Sequence, residues 1–132
     1  MAIRFVTRVV VNRLACSRTV KRQVHPQIED GLFALRGIFA ELFGGVKTGR
    51  MYRRPGGGSY RASAPGEPPA IASGNLLRSI SQPIFIVPNI GQLRIGAPYA
   101  SGLERGHGRV APRPFVAPAV RTLIQRWNGG RL

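Results

Sequence analysis

Catalysis by side chains requires titratable groups that converge, and this 132-residue chain holds five carboxylates, two histidines and one cysteine. Glu104 and His107 lie close enough in sequence for an acid–base pair. A single glutamate beside a glycine-flanked histidine is a thin basis for such chemistry, and an ion pair between Glu104 and an arginine is the expectation instead. Cys16, His25 and His107 lack any standard metal-ligand spacing. Neither a nucleophile elbow nor an HExxH pattern occurs. The residues therefore point to no enzyme, no cofactor and no metal.

What the chain has in quantity is arginine. Twenty Lys+Arg against five Asp+Glu give +15, and all but two of the cations are arginine. Such a balance favours a polyanion or an acidic protein face as partner, and arginine suits bidentate contacts to phosphate or carboxylate. From Gly44 to Gly66 the cations Lys47, Arg50, Arg53, Arg54 and Arg61 occur without a single acid. Tyr52 and Tyr60, interleaved with them, fit either stacking on a nucleic acid or anchoring on a neighbouring subunit. The PGGGS piece is not a phosphate-binding loop, because no Gly-Lys-Ser/Thr follows it; its expected job is to let the segment bend.

The elements that must position these groups follow from periodicity. Length and a hydrophobic content of 43% fit one domain with a modest core, while 17 glycines and 11 prolines predict irregular segments beside it. One cysteine excludes an internal disulfide and fits a reducing compartment; Cys16 itself is expected to be a small, buried or half-buried residue. No apolar run reaches the roughly 20 residues that span a membrane, and the basic N-terminus shows no cleavage site of a signal peptide.

Ile3 to Val11 alternates with period two and predicts a strand, within an N-terminal unit 1–14; a helix through Val6, Val10 and Leu14 competes. A helix over 18–45 follows, with Ser17 or Thr19 as cap and Pro26 interrupting it or opening a second helix. Its strongest part is 27–43, where Ile28, Leu32, Leu35, Phe39 and Leu42 share one face. Glu29 and Asp30 are placed in its first turn, Gly44 and Gly45 at its stop, and Gly31 and Gly37 permit close approach. Residues 46–73 read as an extended basic arm without periodicity, and Tyr52 to Ser63 is expected to be mobile in a free subunit. The unit 74–132 opens on a short helix capped by Ser73. A β-hairpin follows, with a well-buried first strand at Pro83–Val87, a turn at Pro88–Gly91 and an alternating second strand. A short helix then bears Tyr99, Leu103 and Glu104. A second irregular arm carries His107, Arg109 and Arg113, and the last helix begins at Phe115.

Three pieces of the C-terminal half carry a resemblance. PGEPPAIASGNLLRSI resembles the P-G-x-P-P … T/S-G-x-L-R-x-S-I segment of phage tail-completion, or head–tail joining, minor tail proteins. GAPYASGLERG resembles that family's Y-A-x-x-x-E-x-G, and PRPFVAPA resembles its A-R-P-F-L-x-P-A. The pieces stand in the family's order. Two departures occur: Arg105-Gly106-His107-Gly108 replaces a common Gly-Thr, and Pro112 replaces an alanine before Arg113.

The resemblance implies an α+β fold, a small and mainly antiparallel β-sheet packed by one long helix and a C-terminal helix, with long Pro/Gly-rich arms. It implies a ring of identical subunits at the neck of a tailed bacteriophage, with a copy number such as six or twelve, that completes the tail or joins it to the head. Partners would be portal- or adaptor-side and tail-tube-side phage proteins, with contact to channel DNA open and no membrane. The location would be the virion, and the host cytoplasm during assembly. Leu76, Ile80, Tyr99, Phe115 and Trp127 would build core or subunit seams. The candidate interface residues are Tyr52, Arg53, Arg54, Tyr60, Arg61, Tyr99, Glu104, Arg109, Arg113 and Phe115. The competing reading is a basic nucleic-acid-binding protein of ribosomal or nucleoid type, against which no dense basic helix face and no RRM, KH or helix-turn-helix signature is found.

Overall fold

The structure is a computed structural model that describes residues 5–10, 18–87 and 90–130. Cys16, the Ser17 cap and the Pro88–Asn89 part of the turn lie outside the described residues. The β-branched alternation at the N-terminus forms strand β1 (Phe5–Val10) rather than a helix. Helix α1 (Arg18–Gly44) follows, then β2 (Met51–Arg53), β3 (Ser59–Arg61), α2 (Asn75–Arg78), β4 (Ile84–Val87), β5 (Ile90–Ile95), α3 (Ala100–Arg105) and α4 (Val116–Asn128). The fold is α+β. One antiparallel sheet has the order β1-β5-β4, and β2 with β3 forms a separate two-stranded sheet.

Helix α1 runs for 27 residues, about 40 Å at 1.5 Å per residue. Pro26 does not interrupt it. The proline ring has a helical φ and removes one hydrogen bond; because Pro26 is exposed, water can reach the carbonyl so freed. With the start at Arg18, Glu29 and Asp30 fall in the helix interior and the first turn holds no acid. Ile28, Leu32, Leu35, Ile38, Phe39 and Phe43 form the buried face, and Leu42 is only partly buried. The helix lies against β5 and α4. Gly31 permits that approach: a Cβ there would sit 2.4 Å from the Trp127 ring, whereas Gly37 meets nothing.

The buried strand of the β4–β5 hairpin is the second one, not the first. In β5, Gly91, Gln92, Leu93 and Ile95 are buried, while Ile84 and Phe85 of β4 are half-buried and Ile86 is exposed. The reason is position: β5 is the middle strand, with β1 on one side from Phe5↔Ile95 to Val10↔Ile90 and β4 on the other. Ile90 and Gly91, read as turn residues, already belong to it. Gly91 lies under α1, where an added Cβ would come within 2.5 Å of Leu32 and 2.9 Å of Ile28.

The 46–73 segment is not wholly irregular either. Met51↔Arg61, Tyr52↔Tyr60 and Arg53↔Ser59 pair as a hairpin, extended at its root by Gly49 N–H donating to Ala62 O (2.9 Å) and Ala62 N–H to Arg50 O (2.8 Å). Its turn carries Gly56, Gly57 and Gly58 at φ of +95°, +102° and +79°. Three successive left-handed residues are accessible to glycine at little steric cost, so the PGGGS piece is what lets the strands reverse.

Candidate interaction surface

The surface is built from the three motif-bearing pieces and the β2–β3 hairpin, and its geometry starts with two carboxylates. Glu67 of the PGEPP piece accepts from the Thr48 hydroxyl (2.5 Å), the Ala64 amide (2.8 Å) and the Thr48 amide (3.1 Å). These donors, the Thr48 hydroxyl first, hold its carboxyl below the usual carboxylate range. Beside it Lys47, only 8% exposed, donates to Leu42 O (2.6 Å) at the C-terminal end of α1. Burial pushes the ammonium below its ordinary pKa, opposed in part by the Glu67 charge. Together these groups fasten the start of the long segment to the end of the helix.

Glu104 does a different job from the ion pair expected of it. Its carboxylate accepts from the amides of Phe115 (2.7 Å), Val116 (3.1 Å) and Ala117 (3.5 Å), so it caps α4 from outside the helix. Helix N-termini expose unpaired N–H groups and favour negative charge. Phe115, the N-cap residue, has no cap from its own side chain. Next to it, Arg113 N–H donates to Leu103 O (2.6 Å) and Gly66 N–H to Pro112 O (2.9 Å). Ser79 O accepts from Gly96 N–H (2.9 Å), and Ile80 bridges to Ile95. The short helix α2 has Gly74, φ +77°, at its N-cap, and Ser73 contributes only a long contact, 3.4 Å from its Oγ to Asn75 N.

Around these ties lies a groove of about 300 Å³ lined by Tyr60, Ile71, Leu76, Leu77, Tyr99, Leu103 and Arg113 among others. A second depression of about 380 Å³ shares Phe43, Tyr60, Ala70 and Ile71 with it and adds Arg54 and Arg61. On the hairpin, Tyr52 and Tyr60 stack across the strands with centroids 5.9 Å apart. The Arg54 guanidinium lies 5.8 Å over the Tyr60 ring and donates to Ile71 O (3.3 Å), while Arg61 donates to Gly49 O (3.2 Å). The hairpin thus leans on residues 69–72.

The ten interface candidates therefore separate. Tyr60, Tyr99 and Arg113 meet at the groove, and Arg54 and Arg61 line the adjoining depression. Tyr52 and Arg53 are exposed on the hairpin. Arg109 is exposed in the turn closed by the His107–Val110 bridge and lines neither the groove nor the adjoining depression. Phe115 is 0% exposed and packs edge-on against Phe39 and Phe43, at 5.9 and 5.5 Å, so it is a core residue. Ile80 is likewise core, Leu76 and Leu77 are partly buried, and Trp127 remains 40% exposed. Ile71, Leu77 and Leu103 carry no surface signal in the sequence: Ile71 is an isolated apolar residue in a Pro/Ala-rich stretch, and Leu77 and Leu103 lie on helices of four and six residues, too short to display a face. Among the described residues no three His, Cys, Asp or Glu side chains gather as a metal site would require, and no helix is long and apolar enough to cross a membrane. No protein-family model, curated protein or solved structure matches this chain.

Proposed function

We propose that the chain is a structural virion protein of a tailed bacteriophage, a ring-forming subunit of the neck that completes the tail or joins it to the head. The observation that carries this reading is the convergence of the three resembling pieces on one another. They are separated in sequence, yet hydrogen bonds link PGEPP to Pro112, the Glu104 carboxylate to the PRPF helix start, and Ser79 to Gly96. The residues that carry the resemblance thus belong to one hydrogen-bonded unit. The strongly basic, Arg- and Tyr-bearing hairpin beside it suits a subunit that meets acidic faces of neighbouring proteins in a head-to-tail ring. The protein would act by binding, with no reaction catalysed.

The test is genetic and structural. A stop codon in this gene of the encoding phage, in a non-suppressing host, is expected to yield DNA-filled heads and separate tails by electron microscopy. Mass spectrometry of purified wild-type virions should detect the chain. Normal virions from the mutant, or absence of the chain from virions, overturns the assignment.

A further inference from the structure

We propose that the groove between the β2–β3 hairpin, α2 and α3 binds an extended acidic–apolar segment of another protein, its carboxylate held by Arg113 and its apolar side chain seated against Tyr60, Tyr99, Leu76 and Leu103. This goes beyond the neck assignment and stands without it. At about 300 Å³ the groove lies at the low end of ligand pockets, roughly 300–1,000 Å³, a size that suits one or two side chains. Arg113 is anchored through its backbone to Leu103 and precedes the capped start of α4. Arg113 lines the groove, and a carboxylate pairs with a guanidinium in a geometry no neutral acceptor matches.

Charge complementarity selects the occupant. No carboxylate lines the groove or the adjoining depression, which adds Arg54 and Arg61. Three of the five acids of the chain are already engaged: Glu41 with Arg126, Glu67 with Thr48 and Ala64, and Glu104 with α4. The apolar lining discriminates between two kinds of acidic partner. A nucleic acid stacks its bases on flat aromatic rings, whereas the aliphatic lining of Leu76, Leu77 and Leu103 suits the apolar side chains that a peptide carries beside its carboxylates. Tyr99, at 48% exposed, is the type of ring that anchors such a segment at an interface.

The experiment pans a random-peptide library against the full chain, then measures the enriched peptides by fluorescence anisotropy. Enriched peptides are expected to carry Asp or Glu near a large apolar residue. Binding should fall at least about tenfold in Arg113→Gln, consistent with loss of a charge-assisted pair, and also fall in Tyr99→Ala. Exchanging the peptide's acid for its amide should weaken binding to the wild type but have little further effect on Arg113→Gln, the signature of direct coupling. Arg109→Gln, exposed elsewhere, controls for net charge and should leave affinity within about twofold. If Arg113→Gln does not fold, the amide peptide on wild type together with Tyr99→Ala decides. Peptides without carboxylates, no enrichment, equal losses in Arg109→Gln and Arg113→Gln, or stronger competition by a DNA duplex or a second copy of the chain each overturn the proposal. Virion localisation plays no part in these readouts, so the two proposals fail separately.

Discussion

Both oxygens of the Glu104 carboxylate face backbone amides that no residue of α4 itself satisfies. The glutamate of the Tyr–Glu piece thereby joins one short helix to the start of another, across eleven residues of sequence. Glu104→Ala is expected to destabilise the protein by about 0.5–2 kcal/mol, the usual range for loss of an N-cap, with Glu104→Gln intermediate because it keeps an acceptor but loses the charge facing the helix dipole. Urea unfolding measures both; a variant as stable as wild type would show the cap to be dispensable. Glu67 has a pH signature. Its folded-state pKa lies below the ordinary 4.5, chiefly through the Thr48 hydroxyl. Its contribution to stability is therefore present above that value and lost as pH falls through the lower folded one. Glu67→Gln should have a lower urea midpoint than wild type near neutral pH, and the gap should close as pH drops below 4.5.

The central strand β5 is where a helix and a sheet come closest. Gly91 stands under Ile28 and Leu32 with no room for a methyl group. Gly91→Ala is expected to cost about 1–3 kcal/mol through overpacking, despite the better intrinsic strand propensity of a residue with a side chain. Paired with Leu32→Ala, the substitution should be less harmful than the sum of the two alone, because the removed side chain makes room for the added methyl. Additive losses in chemical denaturation would place the strain elsewhere. The β2–β3 hairpin has a different logic: two strands alone are marginal in water. Its support comes from the Tyr52–Tyr60 stack and from Arg54 reaching Ile71 O. That dependence is why its pairing could not be read from the local sequence, in which Met51-Tyr52-Arg53 and Ser59-Tyr60-Arg61 are too short to show a period.

A charge of +15 acts on the protein as a unit. Self-repulsion of this size opposes compaction, and it is screened as the Debye length falls from about 30 Å at 0.01 M salt to about 10 Å at 0.1 M. The single chain is therefore expected to gain stability on addition of sodium chloride, read as a higher urea midpoint, with most of the gain complete by about 0.15 M. The Arg126–Glu41 ion pair between α4 and α1 works in the opposite direction, but it is exposed (36% and 59%) and contributes little. A midpoint that falls with salt would mean that local attractions outweigh the net charge.

Much of this was legible in the residues. Periodicity of 3.6 located the buried face of α1, alternation located β1 and β5, and the glycine run marked a bend though not the hairpin around it, because each depends on short-range stereochemistry alone. The helix through Pro26 was misread because proline's local penalty is outweighed by the packing of Ile28 to Phe43, which lies downstream of it. Which strand of the β4–β5 pair is buried depends on a third strand some eighty residues away, and hydrophobicity by itself pointed to the wrong one. The partner of Glu104 was out of reach for the same reason. Residue types establish that the chain is basic, short of catalytic groups and built around one long amphipathic helix. Only the tertiary structure decides that Phe115 is core and that Tyr60, Tyr99 and Arg113 share a groove, since burial and proximity arise from contacts between segments distant along the chain.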